Sequence, residues 1–515
     1  MIKNVVDLTS QDFSKGLNTI QDIFKLEREE TPNSMNVKFD FDGKMLKRLG
    51  TNTTNRAALS ATGSSGTLGI TTCGLGMFDF GAGSVGTRWL VVQGGTALWA
   101  SSDLGVNFVR IATDRSATYQ DLNRSFNVLV CCNEARDRVL AWPGSGGTFA
   151  TMLNVSAPLA KYSINFQGFL ILLNSTTSKR GFYYEDENTQ LTGAFNGVLT
   201  VGGSFDLPSS EDDEITGAFI LSNRLFVSTR YKLFKITFVG GNPDWQFSEA
   251  KNWGFVPKCF DKITFTDLGE IVVGMDWSRR LRLFDGYDDK IISDKVENDN
   301  KMCEFSTSKI SYAGSGLIVS FGRTDDNEQV FKLGVAIGTT TTQVTHFLCL
   351  NGRTGALYPY DYSNIKFMSM TMAESGNRRF LMAVDQSGWI HMMDSGNIDR
   401  NTYSIDDVVD SPLIFEKSPS QSSKSSKIDM FFSVNSAGRL YYQDRIDFDN
   451  TFSTRYLFSI TSGGKIQHYE SIDIPSTQNT YQYRLLSSSS TTIPWELNRV
   501  DYFLHGLGIG KEQPR

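Results

Sequence analysis

The 515-residue chain holds only 12 prolines, four histidines and six cysteines, and it has no apolar run long enough to cross a bilayer. Each shortage excludes something. A spanning helix needs about 18 consecutive apolar residues, whereas the densest run here, FLILL from Phe169 to Leu173, has the length of a strand. No membrane insertion is expected. The opening MIKNVVDLTSQDF lacks an apolar stretch followed by a small-residue cleavage site, so no signal peptide is expected and the chain should stay in the cytoplasm where it is made. The cysteines, at 73, 131, 132, 259, 303 and 349, form no C-x-x-C pair. Cys131 and Cys132 are adjacent, and on a strand their side chains face opposite ways, so all six read as reduced core thiols. His346, His391, His468 and His505 contain no i, i+4 pair of the kind a zinc helix requires, and no metal or other cofactor is expected. Positive charge is short too. The 50 Lys and Arg against 56 Asp and Glu leave a net charge of −6, which offers no long-range attraction to nucleic acid or an anionic membrane.

What the chain does have is 46 Gly, 36 Phe and 12% aromatics in a background that is 40% hydrophobic and 21% charged. That composition suits a globular protein of many short strands joined by tight turns. At about 150 residues per domain the length suggests three domains, unless one repeat fills most of it. A repeat is present: an aromatic-rich strand, a Gly, Asn or Asp turn, a second apolar strand, and a third strand ending in an aromatic or Asp-Gly. Copies run TRWLVVQGGTALWAS (87–101), SFNVLVCCNEARDRVLAWPG (125–144), INFQGFLILLNSTTSKRGFYY (164–184), GAFILSNRLFVSTRYKLFKITF (217–238) and KITFTDLGEIVVGMDWSRRLRLFDG (262–286). Two degenerate copies follow at 310–338 and 369–394. With Val91, Leu129, Ile171, Val227, Val272, Ile318 and Leu381 as the centres of the second strands, the gaps are 38, 42, 56, 45, 46 and 63 residues. Most approach the roughly 40–50 residues of a four-stranded propeller blade.

The expected fold is therefore all-β: a β-propeller of about seven blades, within a range of six to eight, over residues 66–400. Residues 1–65 read as an N-terminal arm, in which Thr31-Pro32 could cap a short helix and Asp42-Gly43 marks a turn. Residues 401–515 read as an antiparallel sheet or sandwich that completes the ring or sits on it. SSEDDE (209–214), TTTTQ (339–343) and the Ser-rich SPLIFEKSPSQSSKSSK (411–427) read as exposed loops.

The opening DFSKGLNT, NVKFDFDG followed by Lys47-Arg48-Leu49-Gly50, GALYPYDY (355–362) and DYFLHGLGIG (501–510) resemble tail proteins of short-tailed bacteriophages. The likeness is to their propeller-built hub or nozzle proteins, which include tail stabilisation proteins; in that family the second motif often reads Lys-Arg-Pro-Gly. The resemblance implies a virion subunit, assembled as a hexameric ring below the portal and its adaptor, in contact with connector and other tail proteins. Viral DNA would pass through that ring without sequence-specific binding. Phe13, Leu17, Ile20 and Phe24 on the arm are candidate subunit contacts. The competing reading is that they cover the propeller.

Enzymatic chemistry finds little footing. Ser101, Asp103, Gly105 and Phe108 fit a Ser-x-Asp-x-Gly-x-x-aromatic turn that recurs in sialidase-like propellers, where it is a structural hairpin. No carboxylate pair stands out for glycoside hydrolysis among 56 acids. Gly43-Lys44, Gly464-Lys465 and Gly510-Lys511 lack the flanking residues of a phosphate loop. Asp444, Asp447 and Asp449 lie close in sequence but lack the Gly and distal Glu of a calcium loop. Arg279, Arg280 and Arg282 beside Asp276 and Asp285 read as an exposed strand with local ion pairs. The chain is expected not to be an enzyme. The alternatives are a receptor- or glycan-binding propeller at the tail tip and, behind it, a propeller glycoside hydrolase.

Overall fold

The computed structural model describes residues 5–8, 13–19, 21, 25–27, 29–40, 44–54, 73–81, 88–116, 118–145, 149–186, 202–239, 245–265, 269–297, 305–311, 321–325, 329–338, 343–375, 377–395, 399, 405–411, 423–434, 438–446, 451–460, 466–473, 477–478, 480–487 and 495–506. Among these residues the only helical elements are two single 3-10 turns, Asp294–Val296 and Thr307–Lys309. Everything else that is regular is strand. No helix among the described residues is long and apolar enough to cross a membrane.

The repeat folds as successive antiparallel meanders. The first sheet is Cys73–Gly81, Arg88–Gly94, Ala97–Ser101 and Val109–Ala112; the second is Gln120–Ser125, Val128–Asn133, Leu140–Trp142 and Thr151–Met152. The third comprises Ala160–Phe166, Phe169–Ser175, Gly181–Asp186 and Gly202–Asp206, and the fourth Ile215–Leu221, Arg224–Thr229, Leu233–Phe238 and Trp245–Lys251. The fifth is Phe255–Phe265, Gly269–Asp276, Leu281–Phe284 and Asp289–Ile291. The sixth runs Phe321–Asp325, Val330–Val335, His346–Asn351 and Leu357–Asp361 before adding Gly16–Leu17 and Glu30–Thr31. The seventh supplies three strands of its own, Phe367–Ser375, Arg378–Asp385 and Ile390–Met392; Asn52–Thr53 from the arm is its fourth.

Each second strand is sandwiched between neighbouring sheets, so both of its faces are covered. Leu129 to Cys132 and Leu170 to Leu173 are wholly buried, which is why these stretches read as unbroken apolar runs. Burying one such side chain contributes about 1.5–3 kcal/mol. The turns have their own chemistry. Ser222 and Asn223 (φ 49° and 57°) and Gln167 and Gly168 (φ 50° and 82°) form two-residue hairpins with both central φ positive. In four sheets the side chain that ends the second strand accepts hydrogen bonds from the turn's backbone. Ser175 accepts from the N–H of Thr177 and Ser178, Thr229 from Lys232, Asp276 from Ser278 and Arg280, and Asp385 from Ser387 and Trp389.

The first strand of each sheet packs beside the first strand of the next, and Phe367–Ser375 of the seventh returns to Cys73–Gly81 of the first. This cyclic order is propeller-like and leaves no long free edge inside the ring. The seventh sheet is finished by the arm, through His391 opposite Thr53 and Met392 opposite Asn52. The carboxy-terminal region therefore does not complete the ring.

That region forms two further sheets. One runs Ile466–Asp473, Ser423–Val434, Trp495–Gly506, Met45–Lys47 and Val37–Phe39, with Val5–Leu8 paired to Trp495–Gly506. The other runs Ser453–Ile460, Gly438–Ile446, Tyr481–Ser487, Asp407–Asp410 and Ser34–Met35. Their buried faces share one core with the sixth and seventh sheets, including Phe39, Tyr358, Phe367, Met430, Tyr442, Tyr483 and Trp495. The arm thus threads four sheets.

Several expectations are corrected. Thr31 lies in a strand, with no helix after Pro32. Ile318 lies outside the described residues, and the second strand of the sixth sheet is Val330–Val335, so the insertion falls before that strand. Residues 423–427 of the expected Ser-rich loop belong to a strand paired with Trp495–Gly506. Asp42-Gly43 and residues 339–342 lie outside the described residues.

Candidate functional site

The first strands of the seven sheets converge on a cavity of about 150 Å³. Its walls include Met77, Tyr119, Asp121, Tyr162, Ser163, Gly217, Lys258, Phe260, Arg323 and Met370. Four of these strands break register where they meet it: between Cys73 and Met77, between Ile215 and Gly217, between Phe255 and Phe260, and between Phe367 and Ser369. Bulges bend a strand and re-aim its side chains. Gly217 (φ 152°) is required because a Cβ there would stand 2.7 Å from the Phe260 ring. Lys258 sits in the bulge of the fifth sheet at φ 65°, a left-handed conformation that costs a residue with a Cβ about 1–3 kcal/mol.

The bulge delivers the Lys258 ammonium over the face of Tyr119, 4.0 Å from Glu134. The side chain is 15% exposed, and among the described residues no acceptor lies within hydrogen-bond distance of Nζ. Burial lowers its pKa to about 7, against the opposing pull of Glu134 and Asp121. Asp121 accepts from the backbone N–H (2.7 Å) and hydroxyl (3.1 Å) of Ser163. Burial raises its pKa to about 6, although Ser163, Lys258 and Arg323 all favour the charged form. The hydroxyls of Tyr119 and Tyr162 are pushed up by burial. Arg323 reaches Asp261 at 3.6 Å and remains 34% exposed. An amine and a carboxyl that both titrate near neutrality thus share a small polar cavity lined with aromatic rings.

A second constellation gathers the residues of the Lys-Arg-Leu-Gly motif. Arg48, 1% exposed, makes a two-pronged bond to Asp399 (2.8 and 2.5 Å) and donates to the Asp361 carbonyl and the Asn36 side chain, both at 2.8 Å. Its guanidinium lies 4.0 Å from the Tyr362 ring centroid. Lys47, equally buried, pairs with Asp407 at 2.8 Å and with Ser487. Trp495 Nε1 donates to the other Asp407 oxygen at 2.8 Å. Burial pushes the Asp407 pKa up while Lys47 holds it down. Buried ion pairs therefore tie the arm to Asp407 of a terminal sheet and to Asp399, and a hydrogen bond ties it to the Asp361 carbonyl of the sixth sheet, around a cavity of about 250 Å³ lined by Lys38, Leu49, Tyr360, Asp394, Trp495 and Glu496.

The arm residues singled out from sequence divide. Phe13 packs against Phe39 within the shared core, and Leu17 is buried between the fifth and sixth sheets, at 2% and 1% exposure within the chain. Ile20 and Phe24 lie outside the described residues. Ser101 bonds Asp103 and accepts from the Gly105 N–H, so that box is the hairpin turn between the third and fourth strands of the first sheet. Asp444 is buried beside Tyr481, while Asp447 and Asp449 are outside the described residues. Arg282 pairs with Asp276 and Asp289, and Arg280 with Glu297, so both make local ion pairs. Cys131, Cys132, Cys259 and Cys349 are buried and form no disulfide. Lys258 and Asp121 escaped sequence reasoning. The available signal was Pro257 within an inner strand, since proline inside a sheet marks a bulge or an edge.

No protein-family model matches the chain, and no curated protein matches it. Among solved structures, it is similar to BBS1N in complex with ARL6DN at 10% identity and a TM-score of 0.38, covering 68% of this chain and 96% of that one. It is similar to virginiamycin B lyase from Staphylococcus aureus at 12% identity and a TM-score of 0.40, covering 62% and 94%. It is also similar to exo-beta-1,3-galactanase from Phanerochaete chrysosporium at 10% identity and a TM-score of 0.26, covering 87% and 99%. Likeness at this level carries neither an activity nor a partner to this chain.

Proposed function

We propose that the chain is a structural subunit of a short-tailed phage tail, a seven-bladed propeller hub or nozzle protein assembled as a hexameric ring below the portal and adaptor. The observation that carries this reading is the junction around Lys47 and Arg48. The motif behind the family resemblance is spent on locking the arm, the ring of sheets and the terminal sandwich into one body. A subunit that bears load while a genome leaves needs such locking more than it needs a cleft. The axial cavity, at about 150 Å³, is far too small for duplex DNA, which judged from its grooves is roughly 20 Å wide. The genome would pass between subunits. Six copies at −6 each carry −36, and weak repulsion of phosphate keeps a conduit from holding its cargo.

The test is electron microscopy of the purified protein, alone and mixed with the portal–adaptor complex of a short-tailed phage. A six-fold ring seated on the adaptor is the expected result. A monomer that ignores the connector and is retarded on a polysaccharide matrix would replace this reading with the glycan-binding one. Binding of duplex DNA at moderate salt would also count against it.

A further inference from the structure

Among the described residues, two cations at the axial cavity lack hydrogen-bond acceptors of their own. Lys258 Nζ makes no hydrogen bond among the described residues, and Arg323 has only its 3.6 Å approach to Asp261. A buried ammonium left without hydrogen bonds is costly, and here its backbone is strained as well, at a bulge that turns it inward. Glu134, Asp121, Cys259 and Lys161 are the titratable groups that act on Lys258. A metal cation is a poor occupant of a wall that carries Lys258 and Arg323. A polyanion is too large. A small anion with a second polar group fits: its negative end meets the two cations, its other end meets Asp121, and the Tyr119, Tyr162 and Phe260 rings cover its apolar part.

We propose that this cavity is a binding site for a small carboxylate-bearing molecule, its carboxylate held by Lys258 and Arg323 and its remaining polar group by Asp121. The inference is independent of the tail reading, since a ring subunit and a monomer would present the same cavity. The low pKa of Lys258 adds a handle, because its amine is partly neutral and nucleophilic at neutral pH while surface lysines are not.

The probe is glyoxylate with cyanoborohydride, applied to the full chain at pH 7. The Lys258 amine attacks the aldehyde carbon, water leaves to give an imine, and hydride from cyanoborohydride reduces it to N-carboxymethyl-lysine. Peptide mapping should find Lys258 modified at least tenfold faster than exposed Lys262, with acetate slowing Lys258 alone. Arg323→Gln should lower the Lys258 rate at least fivefold and leave Lys262 unchanged. Equal rates at Lys258 and Lys262, or no protection by acetate on the wild-type protein, would overturn the proposal. The acetate arm decides the matter even if the Arg323 variant does not fold.

Discussion

Replacing Arg48 with methionine tests whether the Lys-Arg-Leu-Gly motif is a structural lock. The side chain is 1% exposed and donates to Asp399 twice, to the Asp361 carbonyl and to Asn36, with Tyr362 beneath it. Methionine matches the stem and removes every donor. Asp399, 5% exposed, is then a carboxylate buried without its counter-ion. Breaking a buried pair from one side costs about 3–5 kcal/mol, and loss of the desolvated cation–π contact adds up to about 2. Arg48→Met should therefore lose about 4 kcal/mol or more in urea unfolding followed by tryptophan fluorescence. The paired change Arg48→Met with Asp399→Leu removes the stranded charge and should recover at least half of that loss, because an apolar pair of similar volume is often as stable as a buried ion pair. A single variant within about 1 kcal/mol of wild type, or a double variant no better than the single, would refute the reasoning.

Lys258→Met should stabilise the protein in a pH-dependent way. The unfolded amine titrates near 10.5 and the folded one near 7, so between those values the unfolded state holds the extra proton and wild-type stability rises with pH. Asp121, at about 6 folded against 3.8 unfolded, acts oppositely: its contribution is full below 3.8 and is lost as pH rises to 6. The variant should gain about 2 kcal/mol at pH 6, fading towards pH 10; a gain that is flat with pH would disprove the shift. Asp276→Ala removes the acceptor for two turn N–H groups and for Arg282, and should cost about 2–3 kcal/mol in the same urea assay. Gly254→Ala would place a Cβ 1.7 Å from the Thr229 carbonyl, and its soluble yield should collapse; wild-type yield and melting temperature would show that this approach is misplaced.

How much of this was legible follows from what each strand touches. The second strands announced themselves because neighbouring sheets cover both faces, as in FLILL, and six of the seven chosen centres fall in second strands, Ile318 lying outside the described residues. The fourth strands left no such mark: Thr151–Met152 is two exposed residues and Asp289–Ile291 is half-buried and polar. The arm was illegible for a different reason. Its strands are two to four residues long, too short for any period, and apart from two local pairs, Gly16–Leu17 with Glu30–Thr31 and Val37–Phe39 with Met45–Lys47, their partners lie hundreds of residues away, as Thr53 opposite His391 does. The cavity hid in the same way. VPKCF reads as an ordinary strand until the pairing reveals the bulge, and Asp121 gains its character only from burial against three other sheets.

The path of the arm has a consequence for how the molecule holds together. A ring closed by pairing within one local repeat could open at that sheet and leave everything else intact. Here the closing strand, Asn52–Thr53, follows five residues after Lys47, whose ammonium is tied to Asp407 in the terminal sandwich, and four after Arg48, tied to Asp399. Pulling the closing strand away would drag a buried cation from a buried carboxylate, so ring opening and release of the sandwich are one event. Both also depend on contacts between residues about 340–360 apart in sequence, which must wait until the repeat has been made. The same coupling that delays closure makes it hard to undo once formed.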